Sequence, residues 1–165
     1  EAETRHDLRA SAVFHVLTHC GLRVSELAGL TMNDLDLNER SGWARVLGKG
    51  NKQRMVPIPL PARKAMASYL SSRPPFQTDR VFVGERGPLT DRGIRSICRR
   101  YAAITGVHVH PHALRHSFAK SFLEETTNDL VALAAILGHE SLETTRRYVQ
   151  RSKSELLSAS EGISF

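Results

Sequence analysis

Only two cysteines and three tyrosines stand among the 165 residues, and no apolar run approaches the length needed to cross a bilayer. Cys20 and Cys98 each fall on the apolar stripe of a helix that the spacing predicts, which argues against a disulfide framework. The opening residues carry no secretory-leader pattern. These absences predict a soluble, reduced, cytoplasmic protein with no membrane partner. Internal repeats, low-complexity tracts and linkers are also missing, so the length fits one domain, which buries roughly 70% of its unfolded surface. Acidic residues are outnumbered: 23 Lys and Arg face 17 Asp and Glu, for a formal charge of +6. That balance favours a polyanionic partner, although a basic composition alone is a weak signal.

What is present reads as mostly helix with a small antiparallel sheet, an α+β class. Leu8, Ala12, Val13, Val16, Leu17 and Cys20 recur at helical spacing and stop at Gly21. A short helix follows in "LRVSELAGL". The runs "WARVL" and "RMVPI" flank the turn-rich "GKGNK", a hairpin with lysine at its tip. Ala62, Ala65, Met66, Tyr69 and Leu70 mark another core stripe. "VFV" reads as a short strand, and Ile94, Ile97, Cys98 and Tyr101 mark a helix ending near Gly106. After "HPHALRHSFA" comes an apolar helix from Leu130 to Leu137, closed by Gly138, and then the basic "SLETTRRYV".

The histidines allow two readings. In one, His108 and His110 (i, i+2) and His112 and His116 (i, i+4) form a metal site, and "HVH" looks like the His-hydrophobic-His signature of metal-dependent relaxases. Against it, no carboxylate partner is obvious, Pro111 separates the pairs, and no other Cys/His cluster completes a tetrahedral set. In the other, His112 and Arg115, one helical turn apart, work with Arg23, Lys49, His139 and Tyr148 on a phosphodiester. The residue types suit that chemistry. Two guanidiniums clamp the non-bridging oxygens that gain charge in the transition state. A lysine on a hairpin tip can protonate the departing sugar oxygen. A tyrosine nucleophile stores the energy of the broken bond in a phosphotyrosine. Tyr69 and Tyr101 lie on apolar helical stripes, which leaves Tyr148.

"GLRVSELAGL", "GKGNKQRMVPI", "HPHALRHSFA" and "ILGHESLETTRRY", in that order, resemble the catalytic domain of the tyrosine recombinases, close to the Xer and phage-integrase branch. The resemblance covers nearly the whole chain. It implies that Arg23 is the first arginine, Lys49 the hairpin lysine, and His112 and Arg115 the His-x-x-Arg pair, with His139 the next histidine and Tyr148 the nucleophile. Glu26 matches an acidic position that orients its neighbours; an ordinary i, i+3 surface ion pair with Arg23 explains it as well. The implied activity is site-specific DNA cleavage and rejoining through a 3′-phosphotyrosine, with double-stranded DNA as substrate, a homotetramer on DNA, and neither metal nor other cofactor. Type IB topoisomerase-like relaxation is the nearest enzymatic rival. A DNA-binding module without catalysis is another, opposed by the intact set of six candidates.

The resemblance also divides the chain into a catalytic domain, 1–151, and a tail, 152–165, that docks on a neighbouring protomer or folds back on its own. Relatives of this type carry an N-terminal helical DNA-binding domain, which only about seven residues before the first helix cannot supply, so an excised catalytic domain is expected. "RRYV" is more basic than the family pattern. His108, His110 and His116 receive no role from it and read as structural or DNA-proximal, and Phe118 and Phe122 read as core.

Overall fold

The computed structural model describes residues 7–139, 141–146 and 148. Helix α1 (Leu8–Cys20) begins where the Asp7 carboxylate accepts a hydrogen bond from the Ala10 amide at 3.0 Å and ends at Gly21, whose φ of 61° is the left-handed region glycine enters without steric cost. Its buried Ala12, Val13, Val16 and Leu17 form the centre of the main core. Helix α2 (Val24–Gly29) follows, then β1 (Leu35–Leu37), β2 (Gly42–Leu47) and β3 (Gln53–Pro57), an antiparallel sheet in the order β1-β2-β3. Strand β2 alternates strictly: Gly42, Ala44 and Val46 face inward, while Trp43, Arg45 and Leu47 face out. Ala44 is opposite Val56, and Val46 opposite Arg54.

Helix α3 (Leu60–Ser72) lays Ala62, Ala65, Met66 and Tyr69 against α1. The Tyr69 hydroxyl accepts from the Val83 amide at 3.0 Å and donates to the Val81 carbonyl at 3.3 Å, so this buried polar tip is paired. The expected "VFV" strand is displaced by two residues. Val81, Phe82 and Val83 are buried, but the ladder forms between β4 (Val83–Gly84) and β5 (Gly87–Pro88), with an isolated bridge from Arg80 to Thr31. Strand β1 had no sequence expectation, since three residues, "LDL", are too few to display an alternation.

Helices α4 (Asp91–Thr105), α5 (Pro111–Glu125), α6 (Leu130–Leu137) and α7 (Leu142–Arg146) complete the described chain. Among the described residues, none of these helices is long and apolar enough to cross a membrane. Cys20 and Cys98 are free and buried, and burial pushes the Cys20 thiol up to about 12, which leaves it inert at neutral pH.

Helices α5 and α6 share a second, smaller core of Ala119, Leu123, Leu133 and Leu137, against which Phe118, Phe122 and Tyr148 pack. At about 1.5–3 kcal/mol per large apolar side chain, so small a cluster holds its helices weakly. Polar ties to the main body therefore carry part of their placement. They converge on the site.

Candidate active site

Three chain segments meet around one carboxylate. Arg23 caps α2, and its backbone amide donates to Glu26 Oε2 at 2.7 Å while its guanidinium donates to Oε1 at 2.9 Å. From β3, Arg54 grips both oxygens, Nη1 to Oε1 at 2.8 Å and Nη2 to Oε2 at 2.9 Å. From α5, Arg115 Nη1 lies 3.9 Å from Oε2. Glu26 is only 8% exposed, so it is no surface ion pair. Burial pushes its carboxyl pKa up, but the hydrogen bonds from Arg54 and Arg23 win and hold it below the ordinary carboxylate value.

Arg115 is buried at the ends of two helices. Its guanidinium donates to the Gly21 carbonyl just past α1 and, at 2.8 Å, to the Leu137 carbonyl that ends α6. Both are carbonyls a helix terminus leaves unsatisfied, at the negative end of its dipole. Burial first, and then the Arg23 charge, lower the Arg115 pKa to about 10, opposed by Glu26; it remains a cation at neutral pH. Its fork has five N–H donors, and these two carbonyls leave others for a ligand.

The cluster carries a charge excess. Three guanidiniums (+3) around one carboxylate (−1) leave two positive charges. Beside them opens a cavity of about 370 Å³ lined by Arg23, Arg95, His112, Arg115, His139 and Thr144, among others. His112 is exposed at its rim, in the first turn of α5. His139 follows α6; its Nε2 lies 3.4 Å from Arg115 Nη2, and its Nδ1 is 2.9 Å from the Thr145 hydroxyl, which is fully buried. A hydroxyl both donates and accepts, so Thr145 fits either tautomer, and Nε2 is the nitrogen on the Arg115 side. The half-buried Tyr148 ring stacks on His139 at 6.4 Å between centroids and meets the His116 ring at 5.2 Å.

Of the residues expected from the sequence, Arg23, Glu26, His112, Arg115 and His139 are thus brought together, with Tyr148 beside His139. Lys49 opens the short 3-10 turn, Lys49–Asn51, at the tip of the β2–β3 hairpin. The tail, 152–165, lies outside the described residues.

Two histidines of the rival metal set have other contacts. The His110 ring caps α5, its Nδ1 accepting from the Ala113 amide at 3.1 Å, and His116 turns to Tyr148. Among the described residues no three His, Cys, Asp or Glu side chains converge as metal ligands. Sequence reasoning missed Arg54, Thr145 and the contact of His116. Arg54 had left a signal: alternation in β3 places it on the face of Val56, where a lone charge needs a partner.

Residues 1–155 match the phage integrase family. The chain is 40% identical over 164 residues to the tyrosine recombinase XerC of Staphylococcus carnosus, an alignment covering 94% of this chain and 54% of that protein. It is 43% identical over 147 residues to the XerC of Actinobacillus pleuropneumoniae, covering 86% and 47%. Thus it spans about half the length of the curated relatives it matches. Among solved structures, the XerA recombinase superposes with a TM-score of 0.81 at 32% identity, over 98% of this chain and 61% of the other. The XerH site-specific recombinase in its pre-cleavage complex with a difH substrate gives 0.79 at 26% identity, over 98% and 48%.

Proposed function

The chain belongs to the phage integrase family, and from that premise we propose that it breaks and rejoins double-stranded DNA in site-specific recombination. The observation that carries the reading is the paired Arg23 and Arg115 on buried Glu26. They give the cavity a surplus of positive charge that a phosphodiester would neutralise, with Tyr148 within stacking distance of the His139 that lines it.

The phenolic oxygen of Tyr148 attacks the scissile phosphorus. The bond to the 5′-oxygen breaks, leaving a 3′-phosphotyrosine and a free 5′-hydroxyl. Arg23 and Arg115 hold the non-bridging oxygens, and their stabilisation grows as those oxygens gain charge. His112 takes the tyrosine proton, His139 hydrogen-bonds the phosphate, and Lys49 donates a proton to the leaving oxygen. The 5′-hydroxyl of another strand then attacks the phosphotyrosine and reverses each transfer. The arginines supply positive charge and N–H donors for the developing oxyanion, so the step draws on no metal and no nucleotide.

The acid role is tested with a duplex recovered on this chain from a randomised pool and synthesised with either an oxygen or a sulfur at the scissile 5′ position. Lys49→Ala is expected to slow cleavage of the oxygen substrate by roughly 10²–10⁴-fold and of the sulfur substrate far less, since a thiolate leaves without a proton. Equal slowing of both would remove Lys49 from that role.

On DNA the protein assembles as a tetramer in which the segment after Tyr148 docks on the neighbouring protomer. Support comes from the sequence of that segment, whose Leu156, Leu157, Ile163 and Phe165 are too few to form a core of their own. Sedimentation with DNA of a chain ending at Lys153 should show weaker assembly than the full chain at similar melting temperature; unchanged assembly contradicts the docking.

A further inference from the structure

We propose that Arg54 is a positioning residue for the general acid, fixing the hairpin that carries Lys49 against the elements that hold the phosphate; this rests on the reading of Lys49 given above. Arg54 lies on β3 opposite Val46, one pair short of the last pair of the ladder, Leu47 with Gln53. Beyond that pair the Gly48 amide donates to the Lys52 carbonyl at 2.8 Å and closes the turn that Lys49 opens.

From this place at the outer end of the hairpin the Arg54 side chain, 12% exposed, makes three bonds to two other segments. Two reach the Glu26 oxygens on α2, and Nε donates to the Ile136 carbonyl of α6 at 2.7 Å. The neighbouring backbone makes room for it. A Cβ at Gly138 would stand 2.9 Å from Arg54 Nη1 and 3.0 Å from its Cδ and Cζ. Gly138 thus does more than end α6 in a left-handed turn, at a φ of 65°.

Charge balance does not account for Arg54. Glu26 already faces Arg23 and Arg115, so a third guanidinium adds to an excess of like charge and carries its own desolvation cost. What Arg54 adds is a hydrogen-bonded connection from the hairpin to α2 and α6. An acid must come within hydrogen-bond reach of its oxygen, and a displacement near 1 Å can cost about 10²-fold in rate. Without Arg54 the hairpin end loses its hydrogen bonds to α2 and α6, while Arg23 and Arg115 keep their mutual partner.

The inference predicts a selective defect. In single-turnover cleavage below the melting temperature of each variant, Arg54→Met should slow the 5′-oxygen duplex by at least about tenfold and the 5′-sulfur duplex by less than about threefold. Arg54→Lys, which keeps a cation beside Glu26 but loses the two-pronged grip, should show the same selectivity at smaller size, and it serves where the Met variant folds poorly. On the oxygen duplex, the double variant with Lys49→Ala should be about as slow as Lys49→Ala alone, because a misplaced acid costs nothing once the acid is gone. Equal slowing of both duplexes by the Arg54 variants, or no slowing, overturns the positioning role while Lys49→Ala remains selective. Unselective slowing by Lys49→Ala itself removes the acid reading and this inference with it.

Discussion

Glu26→Ala is expected to lower the melting temperature by roughly 10 °C and to abolish cleavage. Three guanidiniums converge on this carboxylate, and removing the anion from a buried pair typically costs about 3–5 kcal/mol, because the buried cations that remain have lost their counter-charge. A domain of this size shifts by roughly 2–4 °C per kcal/mol. Arg54 and Arg115, with side chains 12% and 7% exposed, account for most of that cost; Arg23, at 41%, is screened by solvent and contributes least. The loss should be reversed in part by sulfate, which supplies the missing negative charge, and more so in the variant than in the parent.

The same carboxylate sets a pH dependence. Its pKa in the folded protein lies below the ordinary value, so its contribution is complete above the ordinary carboxylate range and disappears as pH falls through the folded value. Glu26→Gln should therefore flatten the acid side of the stability curve. A melting shift below about 2 °C for Glu26→Ala, with no response to sulfate, would mean that the charge cluster is not what ties α2, β3 and α5 together.

Tyr148→Phe has the largest expected effect on chemistry. With the phenolic oxygen as the proposed nucleophile, the covalent protein–DNA species should fall below detection, while DNA affinity changes by less than about threefold because that oxygen acts mainly in the transition state. The ring itself stays. Phenylalanine still packs on His116, His139 and the leucines of the second core, so the melting temperature should move by only about 2–4 °C at most. Persistence of the adduct in this variant, read on a denaturing gel, would assign the nucleophile elsewhere.

The two predictions rest on residues of different legibility. Arg23, His112, Arg115 and Tyr148 stand out as candidates in the sequence because each sits in a short motif whose spacing and residue type suit a chemical role. Helices α1 and α6 could be read because an apolar period stops at a glycine, Gly21 or Gly138, whose left-handed conformation the structure shows. Glu26 was ambiguous for a physical reason. An i, i+3 pair looks the same in sequence whether solvent surrounds it or not, and only the arrival of Arg54 and Arg115, from 28 and 89 positions away along the chain, buries it. Arg54 lay in a run read simply as strand, and its partners on α2 and α6 come from tertiary packing that no local pattern encodes. Thr145 and His116 were hidden similarly: one is defined by its bond to His139, the other by the turn that brings Tyr148 back over α5. Strand β1 was too short to show its period.

In the proposed reaction Tyr148 takes one specific end of a broken DNA strand. A duplex recovered on this chain, nicked near the scissile position so that the short 5′-hydroxyl fragment diffuses away, traps the covalent species. Proteolysis and mass spectrometry then identify the peptide and the DNA terminus it holds. The expected result is a single adduct on Tyr148 bearing a 3′-phosphate end, with a free 5′-hydroxyl on the released fragment and an unchanged yield in chelator. An adduct on any other residue, or a tyrosine joined to a 5′-phosphate, would contradict it.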